Sequence, residues 1–348
     1  MDIGIIGFGY MGKWHYNQLK RNSIVDNIYI YDIDVTIRKT IQQYDVIVCE
    51  NLEHMMEQKL INTIIIATPN DTHALYIEMA LRNNKNVICE KPVTLNYDAL
   101  VQLEQLSKRK GLIFTVHQNR RWDIDFLTLQ ESLRKGWLGN VVNVESRVYA
   151  QRGIMYGWRA KNECGGGLLL DWGVHLIDQI LLLQESRVTS IFADIKSVMT
   201  KTVDDYFSIK LKFQNGTTAL IEAGTFALRK LPRWFIYGDS GTLIIEDFDC
   251  QNGGITYLNS SSLNNKITIN NANHTSRLLQ PISPQQTKDI KFPLNIESSD
   301  NVFYDNFFNA LQDITSPHVQ LSQIKRVMKI IDLVKMAAEN NEIIKTNI

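Results

Sequence analysis

The segment CGGGLLLDWGVHLID, residues 164 to 178, sets three glycines ahead of an apolar run that carries an aspartate and a histidine. Asp171 and His175 are four residues apart, which puts both side chains on one face of a helix. An imidazole with an ordinary pKa near ~6.5 can take a proton from an alcohol at neutral pH. The neighbouring carboxylate can bind a second hydroxyl or tune a nearby cation. Asp178, three residues beyond His175, is expected to support the imidazole from the same helix. A lone histidine on an apolar helix is more often core than catalyst, so the pair needs company. Lys91 supplies it, standing before Pro92 in CEKPV (89 to 93) at the end of a buried strand. A lysine there would hydrogen-bond the same alcohol oxygen, stabilise a developing alkoxide and hold the histidine's pKa down. Asp-x-x-x-His offers two metal ligands, but no third or fourth stands at a convincing spacing, so no metal is expected.

These side chains need a scaffold, and the first 120 residues describe one. IGIIGFG, NIYIYDID, LINTIIIATPN, NVICEKPV and LIFTVHQN read as buried strands, separated by amphipathic helical stretches. Continuous Ile and Val runs alternating with helices predict a parallel sheet covered on both faces. The first strand runs into Gly7-Phe8-Gly9-Tyr10-Met11-Gly12, a G-x-G-x-x-G between strand and helix. In that context the glycines predict a tight turn, a close backbone approach to a pyrophosphate and close helix packing. The helix start then offers free N–H groups to the phosphates. Asp32 ends the second strand twenty residues past Gly12, where a carboxylate binds the adenine-ribose hydroxyls. Asp32 and Asp34 would repel a 2′-phosphate, so NAD is expected over NADP, although Arg38 lies near. Thr68, Pro69 and Asn70, in ATPNDTH, sit at the edge of the sheet where ligands bind, with His73 placed at a helix start beside the cofactor.

After residue 120 the texture changes to longer, partly alternating segments such as VVNVESRVYAQ, VTSIFADIKSVM, DDYFSIKLKFQNG and RWFIYGDSGTLIIED. Turn signals in FQNGT and YGDSGT predict a largely antiparallel sheet, and residues 251 to 300 read as long loops with one or two irregular strands. A dinucleotide-binding domain is therefore expected over 1–120 and an α+β domain with a large, mostly antiparallel open sheet over 121–348. Lys plus Arg equals Asp plus Glu at 37 each, so no global field draws nucleic acid or anionic lipid. Four scattered cysteines without a CxxC pair, and an N-terminus lacking a basic leader, fit a cytoplasmic protein. No window is expected to reach the length of a membrane span.

GFGYMG, ATPNDTH, EKPV, QNRRWDIDF and GGGLLLDWGVHLID, in this order, resemble the Gfo/Idh/MocA family of oxidoreductases over almost the whole chain. The resemblance implies an α/β protein with an N-terminal Rossmann domain and a C-terminal domain whose open sheet often joins subunits. It implies a homodimer or homotetramer that oxidises or reduces a sugar, cyclitol or related polyol with NAD or NADP. QNRRWD is similar to the scyllo-inositol dehydrogenase branch, which often uses NADP, whereas Asp32 points to NAD. By resemblance Lys91, Asp171 and His175 are the catalytic set, and Thr68, Asn70 and Glu90 lie near the nicotinamide and its ribose. Asn119 and Arg120 would contact substrate or nicotinamide, and Trp158 with Arg159 would line the cleft. Gly165 to Gly167 are expected to let the chain pass close to the nicotinamide. Two rival functions are a catalytically silent dinucleotide or sugar sensor, and an enzyme using tightly bound NAD as an internal redox shuttle.

Overall fold

Isoleucine runs buried on both sides build the first sheet. The strands are β1 (Asp2–Ile6), β2 (Ile28–Tyr31), β3 (Ile47–Val48), β4 (Ile61–Ile66), β5 (Asn86–Cys89) and β6 (Phe114–Val116). All pair in parallel, in the order β3-β2-β1-β4-β5-β6. Helices α1 (Tyr10–Leu19), α2 (Val35–Ile41), α3 (Leu52–Glu57), α4 (His73–Arg82) and α5 (Tyr97–Lys110) make the crossovers. The order reverses at β1, so the loops after β1 and β4 diverge and open a crevice at the carboxyl edge. The structure, a computed structural model, describes residues 1–151, 153–259, 270–272, 275–277, 284–296 and 301–348.

A short turn and α6 (Ile124–Arg134) lead into the second sheet. Its strands are β7 (Val141–Tyr149), β8 (Val188–Lys196), β9 (Tyr206–Phe213), β10 (Thr218–Gly224), β11 (Trp234–Gly238), β12 (Gly241–Ile245) and β13 (Gly253–Leu258). A small hairpin of β14 (Asn270–Ala272) and β15 (Thr275–Arg277) follows, then β16 (Thr287–Lys291) and the terminal β17 (Ile344–Lys345). The nine-stranded order is β16-β13-β12-β11-β7-β10-β9-β8-β17, antiparallel except where β7 meets β10. The open, mostly antiparallel sheet expected from the alternation is thus present. Over 251 to 300, expected as long loops with one or two irregular strands, β13 and β16 extend this sheet, and residues 260–269, 273, 274, 278–283 and 297–300 lie outside the described residues.

Helix α7 (Val174–Leu183) packs on the inner face of the second sheet, α8 (Val302–Leu311) returns to the first domain, and α9 (Leu321–Asn340) lies against β8 and also against α5 and β6. Tyr97 N donates to Asp332 Oδ2 (2.9 Å), Thr115 Oγ1 to Val319 O (2.8 Å), and Lys325 pairs with Glu104 (2.6 Å). The stretch Asn162–Leu183, with mean hydropathy 1.3, is long and apolar enough to cross a membrane, contrary to the expectation that no window would be. It is 72% buried, and its apolar side chains fill the core between α9 and the sheet.

Asp178 is where the expectation fails most clearly. Its carboxylate does not reach His175; it takes a bidentate pair from Arg121, Nε to Oδ2 at 2.7 Å and Nη2 to Oδ1 at 2.6 Å. Arg121 also donates to His318 O (3.2 Å) and Gln323 Oε1 (2.9 Å). This buried guanidinium fastens the turn after β6 to α7 and to the base of α9. Removing one partner of a buried pair leaves the other charge unmatched. Arg121→Met is expected to cost about 3–5 kcal/mol, read as a lower midpoint in denaturant unfolding; an unchanged midpoint would show that the pair anchors nothing.

Candidate active site

Sheet crevice and α7 share one cavity of about 780 Å³, within the ~300–1,000 Å³ range of small-molecule sites. At one end stand Gly7, Gly9, Tyr10 and Asp32; at the other stand Lys91, Asp171 and His175. Gly7 turns with φ +87°, and a Cβ there would meet Ala67 O at 2.6 Å. Gly12 is closer still, its notional Cβ 2.0 Å from Gly7 O, so α1 rests directly on the turn. Gly9 is different: a Cβ there would meet nothing within 4 Å, because it would project into the cavity. The first backbone bond of α1 runs from Lys13 N to Gly9 O (3.1 Å), leaving the N–H groups of Tyr10, Met11 and Gly12 ahead of the ladder. That is an anion cradle.

Asp32 closes this end. Its Oδ2 accepts Phe8 N (2.7 Å) and its Oδ1 accepts Asp34 N (2.9 Å), which fixes the carboxylate against the cavity wall. Arg38 Nη1 donates to Asp32 O (2.5 Å), so that guanidinium is committed to the backbone of the same turn.

The other end joins the two sheets. Lys91 Nζ donates to Asp171 Oδ1 (2.7 Å) and to the Asp171 carbonyl (2.8 Å). Asp171 also faces Arg159 Nε at 3.5 Å. Burial pushes the Asp171 carboxyl up, but Lys91 and then Arg159 outweigh it and hold it below its ordinary value. Asp171 lies in a π-helical turn, Leu169–Gly173, that precedes α7, so the two side chains share the cavity without a continuous α-helix between them. His175 is buried, its Nδ1 has no partner among the described residues, and the residue lines the cavity. Burial first, then the Lys91 and Arg120 cations, push its pKa well below the ordinary value. Arg120 lies over the Trp172 ring at 4.1 Å and pairs with Asp123 at 2.7 Å.

Most of the expected residues line this one cavity: Thr68, Pro69 and Asn70 on the β4 side, Met11 on α1, Glu90 beside Lys91, and Asn119, Arg120 and Trp158 across from them. Three do not. Phe8 has its ring buried edge-on to Tyr16 and Tyr44, and its N–H is spent on Asp32. Gly12 lies beneath the turn, a packing position. His73 is fully buried, with Nδ1 2.8 Å from Pro92 O and Nε2 2.9 Å from Thr68 O, so it ties the β4 and β5 loops together. The glycines also need correcting. Gly165 packs on Leu95 and Asn70, Gly166 on Arg159 O and Gly167 on Asp204, and none lines the cavity. Asn70 Nδ2 donates to Gly165 O (2.8 Å), so this close approach seals the two domains rather than touching a nicotinamide. Trp14, Tyr76 and Trp172 also line the cavity and were missed; Trp172 stood in plain view between Asp171 and His175.

Residues 1–118 match the family model for oxidoreductases with an NAD-binding Rossmann fold, and 126–244 match the GFO/IDH/MocA C-terminal domain. The chain belongs to the GFO/IDH/MocA oxidoreductase family. An NAD-binding protein of Listeria innocua has the same fold, with TM-score 0.92 and 35% identity over 99% of each chain. An uncharacterized oxidoreductase of Escherichia coli is 29% identical, covering 72% of each chain. The scyllo-inositol 2-dehydrogenase (NADP(+)) of Bacillus subtilis is 27% identical, covering 72% of this chain and 70% of its own. A family member of this kind takes a nicotinamide dinucleotide, and Gly9 with the α1 start and Asp32 would hold it. Gly9→Ala, which fills only open space, is expected to leave unfolding stability unchanged and weaken dinucleotide binding at least about tenfold; equal binding by calorimetry would remove the cradle from the site.

Proposed function

We propose that the protein transfers a hydride between NAD and a carbinol carbon of a sugar or cyclitol, with Lys91 and His175 handling the alcohol proton. The observation that carries this is Lys91 and His175 at one end of a cavity whose other end holds a dinucleotide cradle. A bound nicotinamide supplies the hydride acceptor or donor. In the oxidation direction, the carbinol C–H bond breaks as a hydride leaves, and the O–H proton passes to His175 Nε2. His175 acts as general acid in the reverse direction. Lys91 donates a hydrogen bond to the substrate oxygen and stabilises the charge that develops there. Asp171 orients Lys91 and can accept from a neighbouring hydroxyl, a contact suited to a polyol. The inositol dehydrogenases among the relatives, from Bacillus subtilis and Thermotoga maritima at 27% and 24% identity, support the polyol class. Asp32 and Asp34 at the ribose end support NAD over NADP, although the Bacillus relative is named for NADP.

The test is reduced-cofactor formation across inositols, hexoses, uronates and amino sugars, with NAD and NADP in parallel. Activity with at least one polyol is expected, with NAD favoured and kcat lowered roughly 10²–10⁴-fold in Lys91→Ala and His175→Ala. Because the His175 pKa is lowered, its neutral form persists as pH falls, so the oxidation rate is expected to hold through ~6.5 and decline only below it. Silence across the panel with NAD bound, or full activity in both variants, would sink the reading.

We also propose a homodimer or homotetramer joined through the outer face of the second sheet. Phe192, Leu220, Phe235 and Ile244 share one cross-strand row on that face with Lys210 and Glu145, and the four apolar side chains are all at least partly exposed. Light scattering is expected to show an oligomer that Phe235→Asp dissociates; a monomeric native chain would refute the assembly.

A further inference from the structure

Behind the reaction end of the cavity lie four buried groups that the proton step does not use. They are His15 on α1, Glu90 after β5, His117 after β6 and Tyr304 on α8, none more than 6% exposed. Glu90 Oε1 receives His15 Nε2 at 2.9 Å and His117 Nδ1 at 2.8 Å, and the Tyr304 hydroxyl stands 2.5 Å from His15 Nδ1. Tyr304 donating to Nδ1 puts the His15 proton on Nε2, aimed at the carboxylate. His15 can therefore donate to the carboxylate while neutral. Burial pushes the Glu90 carboxyl up, but His117 and His15 hold it well below the usual carboxylate range. Burial lowers His15, which keeps that ring neutral.

Three buried ring and carboxylate groups with ligand atoms within 4.8 Å of one another also suggest a metal site. The direct hydrogen bonds between them already use the facing atoms, so the arrangement reads better as a held charge. That charge stands apart from Asp171 at the reaction end of the cavity. Asp171 is matched by Lys91, whereas Glu90 has no lysine or arginine side-chain partner among the described residues and is met by the His15 and His117 rings and by the Lys91 backbone N–H (3.3 Å to Oε2). Glu90 lines the cavity one residue before Lys91, at the end where hydride transfer requires the nicotinamide. A fixed negative charge in a partly desolvated wall favours a cation in front of it. The oxidised nicotinamide ring is a cation; the reduced ring is neutral.

We propose that the His15–Glu90–His117–Tyr304 cluster biases the site toward the oxidised cofactor over the reduced one. This rests on the reading above, that the nicotinamide lies at the Lys91 end. Glu90 carries the charge, and the two histidines and Tyr304 are positioning residues that keep it ionised and aimed. By linkage, tighter binding of the oxidised form lowers the midpoint potential of the bound couple and eases release of the reduced form.

The experiment measures the dissociation constants of NAD and NADH, by calorimetry, for the native chain, Glu90→Gln and Tyr304→Phe. In Glu90→Gln the ratio of NADH to NAD dissociation constants is expected to fall about tenfold, with NAD carrying most of the change. Tyr304→Phe is expected to move the ratio the same way by less, and it decides the matter if the Gln variant does not fold. A merely structural cluster would weaken both nucleotides alike. Equal weakening, or an unchanged ratio, therefore overturns the proposal while leaving the site reading intact. Failure of the native chain to bind either nucleotide would overturn both.

Discussion

The contact between Lys91 and Asp171 is the constraint on which the site depends. Lys91 belongs to the carboxyl edge of the parallel sheet and Asp171 to the turn before α7, so their pairing crosses from one domain to the other. Neither charge is freely solvated, at 16% and 20% side-chain exposure, so separating the domains would strand both. The pair sets the distance between the cofactor crevice and the helix that carries His175. It also places a cation beside that histidine, which together with burial keeps the ring neutral and ready to accept a proton.

Other contacts reinforce this seam. Asn70 binds the Gly165 carbonyl, and a side chain at Gly165 would meet Leu95 and Asn70 across the seam. Arg121 clamps the turn carrying Asn119 and Arg120 to α7 through Asp178. Helix α9 bridges both sheets from behind. Lys91 and His175 therefore sit at a strand edge and on a helix, while Trp158 and Trp172 line the same cavity from neighbouring turns.

Much of this was readable from the sequence because the signals are local. The isoleucine runs, G-x-G-x-x-G, the acidic end of β2 and the Lys-Pro edge are each decided within about ten residues. Lys91, Asp171 and His175 line one cavity with Gly7, Gly9 and Asp32. What escaped is non-local. Asp178 faces His175 along the helix on spacing alone, yet an arginine 57 residues earlier in the chain claims it. Phe8 and His73 lie beside cavity residues in the sequence, but their side chains turn into the core, and only packing decides that. The parallel register of β7 on β10 leaves no mark within either strand. β3, two residues long, is too short to give a period. The π turn at Asp171 was invisible because Leu-Leu-Asp-Trp-Gly carries no periodicity that separates a single π turn from an α-helical one.

The measurement that tests the account most directly is the titration of His175 by NMR of ring-labelled histidine, assigned with a His175→Asn variant and repeated in Lys91→Met. The expected result is an imidazole that stays neutral well below pH ~6.5 in the native chain and gains protons at higher pH once the lysine charge is gone. An imidazole that titrates near its ordinary value, or that ignores the loss of Lys91, would contradict the claim that this cross-domain pair prepares the proton acceptor.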